Sequence, residues 1–445
     1  MRPSRGIHRT LSHIVHVICA AFAILFAAGC AAGPNRAWLG LNTDLSRPAG
    51  VAEHRPAVSA RLALLEELKV PQIRDPAMNW AIAQPAPDSP LDFSASDAVV
   101  RATGNMKADL LVVFRGVPGW ASGRPDAATV TTGLPDRRYA QAFAAFVSAF
   151  VERYDGDGHH DMRHLERPVH AYQFMQEVES LPPSEYAWWL RVFREAVKAA
   201  DPHAIVVLGG LQSPGLKFPD EPFGNYAAYF EHLLDDPELG GPAYPQFDVA
   251  AFHSFPGRHP GRLPFDESVA YMREVMAKHD LTLPIWLTAY GAGSAPETLD
   301  IQAENILKWT LRARSLGIQR MYLHCLCDSD DPGHGPAQNC GLVREVDDTD
   351  IFRKPAFHVF ARLLRELEER PDVAFRGEGY YVLSGKGKPR YVVWKEASYE
   401  PGGTLTPGWW SVQTLTGPKT VRQGSEVRLT SSPLWVQRTT SPFID

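Results

Sequence analysis

Eight short runs of apolar, β-favouring residues alternate along this chain with longer stretches of helical periodicity. That alternation limits the possible folds more than any other feature. The runs lie at residues 38–41, 72–74, 109–114, 169–175, 204–209, 249–253, 284–288 and 320–324. Between them apolar residues recur at helical spacing, as Phe143, Phe146, Val147 and Phe150 do within 138–154. Trp188, Leu190, Phe193 and Val197 do the same within 184–200, and further helical stretches lie at 61–68, 225–234, 265–279, 298–316 and 356–369. A strand, a helical crossover and another strand make a parallel pair, because the crossover carries the chain back to the end at which the strand began. Eight such units are the count of a (β/α)8 barrel, and 445 residues hold one with a small appendage. A doubly wound sheet is the alternative, but no Gly-rich phosphate loop follows the first run.

From residue 371 the pattern changes. Short strands are expected at 380–383, 390–394, 409–414 and 426–429, separated by Gly, Lys and Pro turns. The expected architecture is therefore α/β: a TIM barrel over residues 37–368, followed by a small C-terminal all-β domain, sandwich-like, over 369–445.

The N-terminus reads as a targeting segment. Arg2, Arg5 and Arg9 precede a mostly apolar stretch at 11–26, too short for a membrane span, which runs into Ala27-Ala28-Gly29-Cys30. Small residues before a cysteine are similar to the bacterial lipoprotein signal, in which the cysteine becomes the lipidated first residue. On that reading residues 1–30 are the signal, Cys30 carries lipid, 31–36 form a tether, and the protein is exported and anchored to a membrane. A plain signal peptide or an uncleaved anchor is the alternative. Ala31, rather than Asp, after the cysteine points to the outer membrane.

Five cysteines are present. With Cys19 in the signal and Cys30 lipidated, Cys325, Cys327 and Cys340 remain, and export makes Cys327 with Cys340 the expected disulfide. The formal net charge is −6 with no basic block, which excludes nucleic acid as a partner. Asp155, Asp157, His159, His160, Asp161 and His164 crowd one segment, but the EF-hand spacing and its terminal Glu are missing. That segment reads as a solvated turn, and neither metal nor cofactor is expected. No Gly-x-Ser-x-Gly elbow supports serine hydrolysis.

In a barrel the working side chains stand at the C-terminal ends of the strands. Here those ends carry Asn42, Arg74 with Trp80 beyond it, Pro118 and Trp120, Gln176 and Glu177, His253, Ala289 and Tyr290, and His324 followed by Asp328, Asp330 and Asp331. Aromatic faces ringed by hydrogen-bonding groups suit a carbohydrate, whose rings have an apolar face and a hydroxyl rim.

The order of these residues resembles glycoside hydrolase clan A, nearest to its β-xylosidase-like and cellulase-like members. An Arg follows the second strand, as Arg74 does, and a Pro-x-Trp-Ala pattern the third, as residues 118–121 do. The run 152–158 resembles the one before the clan's fourth strand. His253 follows the sixth strand, Pro284-Ile285-Trp286-Leu287-Thr288 reads as the seventh, and Gln302-Ala303, Gly341-Leu342 and Lys354-Pro355-Ala356 fit the segments beyond. The resemblance implies a retaining pair of carboxylates about 5–5.5 Å apart, an acid/base after the fourth strand and a nucleophile after the seventh. Glu177 matches the acid/base; Glu179 is a second candidate for it. Two positions depart from the clan: Gln176 replaces its Asn, and Ala289 stands where its nucleophilic Glu belongs.

Three readings of Ala289 are open. Hydrolysis is lost and the cleft binds or acts as a scaffold; or Tyr290, Asp328, Asp330 or Asp331 replaces the nucleophile; or a water enters, activated by a more distant carboxylate, with inversion. The resemblance implies hydrolysis of O-glycosidic bonds in an extracytoplasmic carbohydrate, with Arg74, Trp80, Trp120, Gln176, His253, Tyr290 and His324 lining the cleft. The alternative is a non-catalytic carbohydrate-binding or cell-envelope scaffold lipoprotein.

Overall fold

A computed structural model describes residues 38–46, 58–123, 129–130, 133–216, 228–237, 246–255, 264–295, 298–328, 339–345, 350–377, 379–395, 405 and 408–439. Cys30 and the segments before the barrel lie outside the described residues, as do Asp330 and Asp331. No described helix is long and apolar enough to cross a membrane.

The eight expected strands form one parallel sheet. In chain order they are Leu39–Asn42, Gln72–Met78, Asp109–Phe114, Ala171–Phe174, Ile205–Val207, Ala250–Ser254, Ile285–Tyr290 and Arg320–Leu323. The first strand pairs with the second and the eighth, as a closed ring requires. Strand five is split. Its first part, Ile205–Val207, pairs with strand four, and after three intervening residues Leu211–Gln212 pair with strand six. The Val207–Val249 bridge and the Leu208 N–H donating to the Val249 carbonyl at 3.0 Å close the circle between them.

Helices follow the strands on the outside: Val58–Leu68, Ser94–Asn105, Ala140–Tyr154, Pro183–Ala200, Tyr229–Leu234, Pro264–Lys278, Leu299–Ser315 and Pro355–Glu369. Ser94–Asn105 is absent from the sequence reading, since Ser, Ala, Thr and Gly dilute its apolar stripe of Val99 and Val100. Alternate strand residues divide between two cores. Leu111, Ala171, Val207, Val249, Ala251, Trp286 and Tyr322 plug the barrel interior, while their neighbours pack outward against the helices. Gly40 makes room for that plug: a Cβ there would lie 2.8 Å from the Tyr322 ring.

The tail forms one six-stranded antiparallel sheet, in the order Asp372–Gly377, Tyr380–Ser384, Arg390–Val393, Leu434–Arg438, Trp409–Gln413, Lys419–Gln423. One face, with Tyr381, Leu383, Val392, Trp394 and Trp435, joins the barrel's outer core. The other carries its own cluster of Val393, Leu405, Trp410, Val412, Val427 and Val436. Where a sandwich is expected, the described strands thus lie in a single sheet, and the layer beneath it is the barrel's helices. The strand expected at 426–429 is a correction: Gly424–Glu426 is a 3-10 turn closed by a capping box between Gln423 and Glu426.

The expected disulfide is a second correction. Cys325, Cys327 and Cys340 are all thiols. Cys327 packs into the outer core, whereas the Cys340 sulfur lies toward Gly291, 3.4 Å from where a Cβ there would stand.

Candidate functional site at the barrel mouth

Above the apolar plug sits a polar layer centred on Arg74. The residue is 5% exposed. It donates to Gln173 Oε1 at 2.7 Å, Asn42 Oδ1 at 2.6 Å and Gln176 Oε1 at 3.0 Å. Gln173 in turn donates to the Leu208 carbonyl at 2.8 Å and to Thr288 Oγ1 at 3.2 Å. Asn42 donates to the Thr288 carbonyl at 3.0 Å. The network therefore ties the ends of strands one, two, four and seven into one rigid floor.

Glu177 rises from that floor on a bent backbone. Beyond Phe174 the chain passes through two left-handed residues, Met175 at φ 64° and Glu177 at φ 51°. Non-glycine residues in that region cost about 1–3 kcal/mol each and persist only where their surroundings enforce them. Here the Glu177 N–H donates to the Gly210 carbonyl at 2.8 Å, beside a Gln176–Gly210 bridge. The carboxylate, 38% exposed, lies 3.1 Å from Nδ1 of His253, a ring that is 2% exposed. Gly210 lets this pair form, because a Cβ there would stand 2.2 Å from His253 Nε2. A cavity of about 130 Å³ opens beside Glu177, lined by Phe114, Arg115, Gln176 and Leu181 among others.

Burial sets the protonation states. It lowers the pKa of His253 below the ordinary value, with Glu177 pulling the other way. It pushes His324 down to about 4, and Arg74 down to about 10. Both imidazoles are therefore neutral near pH 7. His324 feels the charges of Asp44, Glu177, His253 and Arg74, which places it at the same mouth, with its ring edge-on to Phe255.

Arg74, Gln176, Glu177, His253 and His324 come together at the mouth. Three other residues do not. Trp80 is fully buried and packs on Trp120, Phe143 and Phe146, with no face left for a sugar. Trp120 is half-buried, its indole N–H donating to the Gln84 carbonyl at 3.1 Å and its ring edge-on to Trp80 and Tyr139. Tyr290 points outward, its hydroxyl 2.8 Å from Thr310 Oγ1 on the Leu299–Ser315 helix. A register shift between Leu287 and Tyr290 turns that ring away from the mouth. Ala289 is 4% exposed and belongs to neither apolar cluster.

Two other acids are also committed elsewhere. Asp328 is buried and accepts from Lys354 Nζ at 2.7 Å and from the Gly341 N–H at 2.9 Å. Glu179 accepts from the Gln212 N–H. The carboxylates of Asp155, Asp157 and Asp161 accept from backbone N–H groups of residues 156–159, and one oxygen of each lies within 4.8 Å of the others.

Sequence reasoning missed Asp44 and Arg115. The charge of Asp44 acts on both Arg74 and His324, and that of Arg115 on Arg74. Asp75 holds the turn that bears Asp44, accepting from Thr43 Oγ1 and the Leu45 N–H, each at 2.7 Å. The signal was available: both residues follow barrel strands within two positions.

Similarity to solved structures bears on this geometry. No family model matches the sequence, and neither does any curated protein. Solved structures match along most of the chain. A family 39 glycoside hydrolase from the gut symbiont Bacteroides cellulosilyticus WH2 superposes with a TM-score of 0.65 at 17% identity, covering 91% of this chain and 81% of its own. The barrel has the glycoside-hydrolase fold. A glucosidase from Croceicoccus marinus gives 0.58 at 13% identity, covering 91% of this chain and 97% of its own. A family 51 α-L-arabinofuranosidase from Thermotoga petrophila RKU-1 also gives 0.58, at 12% identity, covering 90% and 96%. The clan A resemblance in the sequence thus extends to the fold, barrel and C-terminal β region together.

Proposed function

We propose that this chain binds a carbohydrate in the mouth of its barrel and does not cleave it by the two-step retaining route. One observation carries this reading. At the end of strand seven Ala289 offers no carboxylate, Tyr290 turns to Thr310 behind the sheet, and Asp328 is held by Lys354. Retention needs a nucleophile about 5–5.5 Å from the acid/base. What is kept, Arg74 with Gln176 and Glu177 with His253, is a set of polar groups suited to sugar hydroxyls. The glycosidase names of the structural neighbours support carbohydrate as the ligand class. The signal-like N-terminus and Cys30 support the reading that it is met outside the cytoplasm, by a lipid-anchored protein at the outer membrane.

A second reading is single-displacement hydrolysis with inversion, Glu177 acting as acid and Asp44 activating water. It is favoured by the charge of Asp44 reaching His324 and Arg74 together with that of Glu177. The test is calorimetry and product analysis on an oligosaccharide panel, using the protein and Glu177→Gln. Saturable binding without product is expected. Product that Glu177→Gln abolishes overturns the binding-only reading, and an inverted anomer lost in Asp44→Asn establishes the second.

A further inference from the structure

The cavity beside Glu177 draws its lining, among the described residues, from the segments that follow strands three and four alone. Its inner wall is buried and apolar: Phe114 and Val178 are each 1% exposed, and Met175 is 6% exposed. Its rim is polar, for Gln176, Glu177 and Ser180 are exposed. The hollow is therefore apolar within and hydrogen-bonding at its lip. A sugar ring divides in the same way, between an apolar face and its hydroxyls.

Local structure holds this shape before any ligand arrives. Phe114 stacks on Phe174 at 5.7 Å. The Leu181 N–H donates to the Val178 carbonyl at 2.9 Å and closes the 3-10 turn Val178–Ser180. Gly116, at φ 91°, keeps the strand-three side bare, since a Cβ there would stand 2.4 Å from Asn79 Oδ1. A preformed wall spares the ordering cost of binding.

Size and shape limit the occupant. An apolar cavity of about 150 Å³ accommodates one benzene ring. At about 130 Å³ this hollow has room for a single ring and not for a chain. Its exposed residues lie on the rim and its apolar wall is buried, so a seated ring has one way out. A ring inside a chain carries neighbours on two sides, whereas a terminal ring carries one.

We propose that this hollow seats the terminal ring of a glycan, the end of a chain or of a branch. Its apolar face lies toward Phe114, Met175 and Val178, and its hydroxyls meet Gln176, Glu177 and Ser180. The proposal rests on the glycan-binding reading and deepens it, from a carbohydrate to a carbohydrate end. The ring then reaches Glu177 from strand three, which stands opposite strand seven in the ring of eight.

The experiment titrates gluco-, manno- and arabino-oligosaccharides of increasing length calorimetrically into the purified protein. Each is used unmodified, with a benzyl group on its reducing end, and with one on its non-reducing end. In a series that binds, one benzylated end is expected to lower affinity by at least about tenfold and the other to change it little. The sensitive end is the one that enters. Affinity is expected to level off once the first rings are in place. Affinity that climbs with every added ring and tolerates both benzyl groups overturns the seat while leaving glycan binding intact. Filling the hollow is the second arm. Ser180→Trp, a change at an exposed position, is expected to lower affinity by at least about tenfold at an unchanged melting temperature. A Ser180→Trp protein that binds as well as the parent also overturns the seat. Should that variant not fold, the benzylated ends decide alone. No binding of any oligosaccharide overturns the glycan reading, and the seat with it.

Discussion

The ends of strands four and seven face the same mouth and have gone opposite ways. At strand four the polar side chains are held toward the opening: two left-handed residues bend the backbone, Gln176 meets Arg74, and Glu177 meets His253. At strand seven nothing acidic is presented, and the hydroxyl of Tyr290 serves the helix layer. Side chains that only filled a core would not need backbone strain to reach solvent. The difference teaches that strand four presents a carboxylate and an amide to the opening, whereas at strand seven Ala289 carries neither and Tyr290 serves the wall.

The largest test asks whether the wall is locked. Lys354→Ala leaves the Asp328 carboxylate buried without its cation, at a cost of about 3–5 kcal/mol in urea unfolding. A loss below about 1 kcal/mol would mean that the pair is loose and Asp328 free to serve the mouth. Next comes Asp75, whose pKa burial raises from 3.8 to about 6. The folded chain keeps a proton there that the unfolded chain has lost. Through this group stability is therefore greatest below about pH 4, falls by up to ~3 kcal/mol between pH 4 and 6, and is level above. Asp75→Asn should flatten that slope in thermal melts; an unchanged slope would assign it to other groups.

Tyr290→Phe sharpens the contrast directly. It removes one buried hydroxyl bond, costing about 1 kcal/mol, and should leave glycan affinity unchanged. Any drop in affinity on calorimetry would bring that ring back to the cleft. The smallest effect is electrostatic. Glu177 raises the pKa of His253 against the pull of burial, so Glu177→Gln should move the imidazole titration further down in NMR. An upward move would mean that the two groups do not meet.

Much of this was legible in the sequence. Strands buried on both faces read as apolar runs, and all eight were found, because periodicity reports burial directly. Polar edge strands such as Lys419–Gln423 carry no such mark, and Val427 with Leu429 mimicked one just after a capped turn. The strand-end rule found Arg74, Glu177 and His253. It failed at Tyr290, where a bulge rotates the side chain, since a one-residue slip reverses facing. It failed at Trp80, whose aromatic ring suits a core as well as a sugar. Cysteine spacing likewise says nothing of which way the sulfurs point.

The order of strands in the tail sheet bears on how the chain leaves the ribosome. Leu434–Arg438 is last of the six in sequence, yet it lies between Arg390–Val393 and Trp409–Gln413. The ribbons emitted earlier cannot join until this strand arrives to bridge them. Trp435, which it carries, is also the ring that lies 4.2 Å from the Arg362 guanidinium on the Pro355–Glu369 helix. A chain that stopped short of residue 434 would lack the Trp435 ring against Arg362 and would leave two sheet edges open.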